Sequence, residues 1–114
     1  MAKETKEPAK YSAVMTQSAE NDLNEIITIT ARDNPRTALE TMEKLQAKIN
    51  TLNNSPNRGT NIPELLARNI PDYRQLMEEP WKIIYKVEEK TVNILAIIDS
   101  RRNLQDVLIR KLLK

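Results

Sequence analysis

The sequence predicts an α+β fold in the order β-α-α-β-β-β-α, an antiparallel sheet packed on a two-helix hairpin. Three observations carry it. Two amphipathic helical repeats meet at the break Asp33-Asn34-Pro35, alternating apolar segments run from Tyr73 to Asp99 through short turns, and a last apolar stripe at helical spacing follows Asn103. An amphipathic helix pair and a one-sided sheet each need a cover, so the two must cover one another. At 114 residues the chain is expected to be one domain with one modest core.

Residues 1–10, with Pro8 among alternating Lys and Glu, read as a flexible tail, and 11–114 as the domain. In "YSAVMT" Tyr11, Ala13 and Met15 share one side of a short first strand. Thr16 or Ser18 can cap the next helix, whose first turn holds Glu20 and Asp22 beside the positive dipole end. Ala19, Leu23, Ile26, Ile27 and Thr30 form its apolar face, and it is expected to end near Arg32. Asn34 can cap a second helix with Pro35 at its first position, where a missing N–H costs nothing. Its stripe is Ala38, Met42, Leu45, Ile49 and Leu52, and Pro56 and Gly59 break it. "TNIPELLARNIPD" reads as irregular, with one turn around Leu65.

Strands "YRQLM", "WKIIYKV" and "VNILAIID" follow as a meander, the turns "EEP" and "EEKT" being short enough for antiparallel neighbours. Trp81, Ile83, Tyr85 and Val87 share one face and Lys82, Ile84 and Lys86 the other; Val92, Ile94, Ala96 and Ile98 are expected to face one way. In "NLQDVLIRKLLK" Leu104, Val107, Leu108 and Leu112 fall at helical spacing, with Asn103 as cap and Arg110, Lys111 and Lys114 near the negative dipole end.

Composition narrows the chemistry. With no cysteine and no histidine there is no disulfide framework, no thiolate metal site and no imidazole base, so neither metal nor cofactor is expected. The charged N-terminus is no signal peptide and no apolar run spans a bilayer, so the protein is expected in the cytoplasm without a membrane partner. Net charge is +2 and uneven: residues 73–114 hold 9 basic and 6 acidic side chains, residues 11–72 hold 6 and 8.

The order and spacing of "AENDLNEI", "NPRTALETMEKLQAKINTLNNSPNRG", "YRQL", "PWKIIYKV" and "VNILAIIDSRRN" resemble the RelE/ParE superfamily of type II toxin-antitoxin toxins, closest to its ParE-like, plasmid-stabilisation branch. The resemblance runs from about Tyr11 to the C-terminus. It implies a small growth-inhibiting toxin neutralised by a cognate antitoxin in a hetero-oligomer, acting either by poisoning DNA gyrase or, like the RelE members, by cutting mRNA on the ribosome. A non-toxic scaffold that only binds antitoxin is the third possibility. Many members carry His where Asp99 stands, and RNA-cutting members commonly keep a Tyr or His in the last loop or helix; residues 99–114 have neither.

Alternation is expected to turn Arg74 and Lys82 away from Trp81 and Ile83, onto an open face with Arg101 and Arg102 at its edge. Four such cations suit phosphate or an acidic partner surface, although edge Arg and Lys also serve simply to stay solvated and prevent aggregation. The family pattern at Arg74, Lys82 and Arg101 favours a binding cluster. For RNA cleavage the proton-transfer candidates are Asp99, Tyr85 and Lys82. Tyr85 shares the core face, and the adjacent arginines are expected to keep Asp99 ionised, as a salt-bridge partner or cap rather than a base. This moves the reading from nuclease toward gyrase inhibitor, a binder rather than an enzyme. Leu104, Val107, Leu108 and Leu112 are candidates for antitoxin contact by analogy with the family, or for closing the core.

Overall fold

The structure, a computed structural model, describes residues 10–112, so the tail expected over 1–10 falls, apart from Lys10, outside the described residues, as does Lys114. In chain order the elements are β1 (Ser12–Met15), α1 (Gln17–Asp33), α2 (Pro35–Asn50), β2 (Thr60–Asn61), α3 (Pro63–Leu66), β3 (Tyr73–Glu78), β4 (Trp81–Glu88), β5 (Thr91–Asp99) and α4 (Leu104–Leu112), with a 3-10 turn at Thr51–Asn53. The α+β order expected from the sequence is present, with β2 and α3 added in the segment read as irregular. The sheet runs β1-β5-β4-β3-β2, antiparallel except where β1 lies parallel to β5.

Local chemistry explains the helix pair. Thr16 caps α1, its Oγ1 accepting from the Ala19 N–H at 3.1 Å and donating to the Ile94 carbonyl at 2.9 Å, so one side chain starts the helix and ties it to β5. Asn34 Oδ1 accepts from the N–H groups of Arg36 and Thr37, both at 3.1 Å, and Pro35 opens α2 directly behind it. Hence the hairpin turns within a single residue.

The single core expected from chain length is divided between the two faces of the sheet. On the face covered by the helix pair, Leu23 of α1 and Leu45 and Ile49 of α2 share a core with Leu76, Ile83, Tyr85, Val92, Ile94 and Ile97 of the sheet. The second face is closed by α3 and α4, which bury Ile62, Leu65, Leu104, Val107 and Leu108 on Ile84, Ala96 and Ile98. The open face expected from the sequence is therefore covered where α4 crosses it.

One expectation about β5 is corrected. Tyr85 pairs with Ile94 and Ile84 with Ala96, which leaves Leu95 as an extra residue in β5, a bulge. A one-residue insertion reverses the alternation, so Val92 and Ile94 share the helix-pair face with Ile97, while Ala96 and Ile98 face α4.

Candidate functional site

The acid and two arginines that follow β5 form the rim expected from the sequence. Arg101 folds back onto Asp99, its Nε and Nη2 donating to the carboxylate at 3.0 and 2.6 Å, while its backbone N–H donates to Asp99 Oδ1 at 2.9 Å. Ser100 N–H donates to the Pro80 carbonyl at 2.8 Å, pinning this turn to the β3–β4 turn. The forked contact leaves the Arg101 side chain 83% exposed. Hydrogen bonds from the Arg101 side chain, then from its backbone, then the neighbouring positive charges hold the Asp99 carboxyl at about 2, below its ordinary 3.8.

A carboxyl held this low is ionised at neutral pH and has no proton to give. The sign follows from the direction: the contribution of Asp99 to the turn is complete above its ordinary value and is lost as pH falls through about 2. Carbon-detected NMR titration of Asp99 should give a midpoint near 2, and Arg101→Ala should return it toward 3.8. A midpoint near 3.8 in the unsubstituted protein would show the fork to be absent.

The four cations do not converge. The two-residue turn at Glu79-Pro80 pairs Glu78 with Trp81, which sets Arg74 opposite Tyr85 and Met77 opposite Lys82. Directly paired residues share a face, so Arg74 lies on the helix-pair side and Lys82, paired with Ile98, on the α4 side. Counting back from that turn would have revealed this in the sequence. Arg74 is occupied there: its Nη1 donates to the Gly59 carbonyl at 2.7 Å. The Gly59 N–H donates to Tyr85 Oη at 2.8 Å. Tyr85 is fully buried, and burial raises its pKa, so the phenol keeps its proton as part of the clasp. Lys82 and Arg102 stay with the α4 side and the rim, respectively.

Leu104, Val107 and Leu108 are buried in the second core and Leu112 packs partly against it, so with α4 seated Leu108 presents no surface to a partner and Leu104 and Val107 very little. Asp22, read in the sequence only as a first-turn acid, is a junction. β1 pairs with β5 only as far as Ile94, and beyond it the Ile97 N–H donates to Asp22 Oδ2 at 3.0 Å in place of a strand. Lys111 from α4 reaches the same carboxylate at 3.1 Å and also donates to Ser18. No sequence signal marks this junction, because Asp22 and Lys111 lie on different helices at opposite ends of the chain.

Between α1 and the β5–α4 turn lie two adjoining hollows of about 190 and about 350 Å³, sharing Asp22, Ile97 and Arg102. The larger also meets Trp81, Ile29 and Arg101.

A family model described as the ParE toxin of the type II toxin-antitoxin system, parDE, matches residues 13–104. Among solved structures, the fold is similar to the chromosomal ParDE toxin-antitoxin system from P. aeruginosa, with a TM-score of 0.66 and 24% identity over 80% of this chain and 97% of that one. It is also similar to the RelBE2 toxin-antitoxin complex from Mycobacterium tuberculosis, with a TM-score of 0.56 and 18% identity over 80% of this chain and 92% of that one. No curated protein matches the sequence.

Proposed function

Because the chain belongs to the ParE toxin family of type II toxin-antitoxin systems, we propose that it arrests growth by binding and poisoning DNA gyrase in the cytoplasm, with no proton transfer of its own, until a cognate antitoxin covers it. The observation that carries this reading is Asp99: in a chain without histidine, the one carboxylate of the rim is held ionised by Arg101. Cleavage through a 2′-hydroxyl needs a base for the nucleophile and an acid for the leaving oxygen. Asp99 serves poorly as either, and Tyr85 is buried in the clasp with Gly59.

Binding asks only for complementary charge and shape, which Arg101 and Arg102 offer at the rim, with Lys82 as a further candidate on the neighbouring face. Arg74 is assigned to holding the loop at Asn57 to Gly59 instead. Two readouts test the reading after induction of the toxin in growing cells. Growth should stop while translated mRNAs stay full-length by primer extension. Codon-positioned cuts in those messages would favour the ribosome-dependent nuclease, and unimpeded growth would favour an antitoxin-binding scaffold.

A further inference from the structure

Of the acids in "AENDLNEI", Glu20 and Glu25 are exposed, whereas Asp22 reaches the sheet. We propose that Asp22 is a positioning residue for the target-binding rim, its one carboxylate holding the two arms between which Arg101 and Arg102 are suspended. This rests on the gyrase reading above and assigns the aim of the rim to a residue outside it. The first arm is β5 and the second α4, and only Ser100 to Asn103 separate them. A shift of either arm therefore passes to the arginines with little slack to absorb it.

The first arm needs an acceptor. β1 ends at Met15 opposite Ile94, so the last part of β5 has no neighbouring strand on that side. An unpaired N–H there would be costly, and Asp22 Oδ2 accepts from the Ile97 N–H at 3.0 Å in a charge-assisted bond. The second arm is tied to the same atom. Lys111 Nζ lies 3.1 Å from Asp22 Oδ2 and also donates to Ser18. Lys111 stands in the last turn of α4, where the helix dipole favours a cation, and with side chains 17% and 22% exposed the pair is screened less than one at the open surface.

Arg101 is clamped to Asp99 within the turn and moves with it, while the bond from Ser100 to Pro80 fixes one point of that turn but not its direction. Direction comes from the arms. Arg102 lines both hollows together with Asp22 and makes no ion pair of its own among the described residues, so it follows the arms most closely. Cations already aimed at an acidic surface lose less freedom on binding it.

The test is the toxin concentration that half-inhibits supercoiling by purified gyrase. Asp22→Asn keeps an oxygen for the Ile97 N–H but loses the ion pair, and Lys111→Met loses the same pair from the other side. Each should raise that concentration by about tenfold, and the two together no further, because they remove one tether. Asp22→Ala, which also orphans Ile97, should raise it more. Lys111→Arg restores the charge and should return it to within about threefold of the original. In all four the Asp99 carboxyl should still titrate near 2, since its fork is local. The reference is Lys48→Met, which breaks an α2–β3 ion pair of similar exposure that touches neither β5 nor α4, and should change inhibition by less than about twofold.

If the unsubstituted toxin leaves supercoiling undisturbed, the gyrase reading fails and the positioning role falls with it. If it inhibits and the folded Asp22 and Lys111 variants inhibit equally well, or Lys48→Met loses as much as they do, the gyrase reading stands and the positioning role is wrong. Additive losses in the double variant would likewise overturn the shared tether. Should Asp22→Ala fail to fold, Lys111→Met and Lys111→Arg decide, because both leave the Ile97 N–H its acceptor.

Discussion

Gly59→Ala should destabilise the protein by about 3 kcal/mol, the upper part of the range for forcing extra volume into a packed site. The only glycine in the chain is required for close approach rather than for an unusual backbone angle. A β-carbon there would stand 2.6 Å from the Gln75 carbonyl oxygen and 2.8 Å from Tyr85 Oη. The first neighbour is β3 backbone and cannot move without disturbing the short β2–β3 ladder. The second is a buried side chain that already accepts the Gly59 N–H and cannot swing aside without losing that bond. Thermal unfolding should show the melting temperature lowered by roughly 10 °C; a loss below about 0.5 kcal/mol would mean that the loop at Asn57 to Gly59 does not press on the sheet.

Leu108→Ala should cost about 3 kcal/mol of stability, within the usual span for emptying a fully buried leucine site. Leu108 has no exposed surface and projects from the sheet-facing side of α4 onto the core that holds Ile84, Ala96 and Ile98. The antitoxin affinity of the protein that remains folded should stay within about twofold of the original, because the side chain is fully buried against the sheet while α4 is seated. Denaturant unfolding and a binding titration separate the two effects. A variant of unchanged stability that has lost antitoxin binding would restore the sequence-based assignment of this stripe to the partner and count against the seated helix.

How far the sequence is legible depends on whether a signal is local. The caps at Thr16 and Asn34, the proline opening α2 and the two faces of β4 are written within a few residues each, and the structure carries all of them. The bulge at Leu95 has no such mark, since "NILAIID" is apolar throughout and either alternation looks satisfied. The face of Arg74 is not legible within its own strand, because a strand considered without its partner has no register; pairing across Glu79-Pro80 supplies one and sets Arg74 opposite Tyr85. The link from the Ile97 N–H through Asp22 to Lys111 joins residues 75 and 89 positions apart, beyond any periodic pattern. At the candidate site, the pairing of Asp99 with Arg101 was legible because both lie on one turn, whereas the cover over the second face was not.

The most direct measurement is DNA supercoiling by purified gyrase titrated with the purified toxin, with and without its antitoxin. A binder that needs no proton chemistry should suppress supercoiling at micromolar toxin and release the enzyme when antitoxin is added. It should also do so nearly uniformly from pH 6 to 8, because Asp99 stays ionised throughout that span. Undisturbed supercoiling at micromolar toxin, in a preparation that arrests growth when induced, would contradict the account.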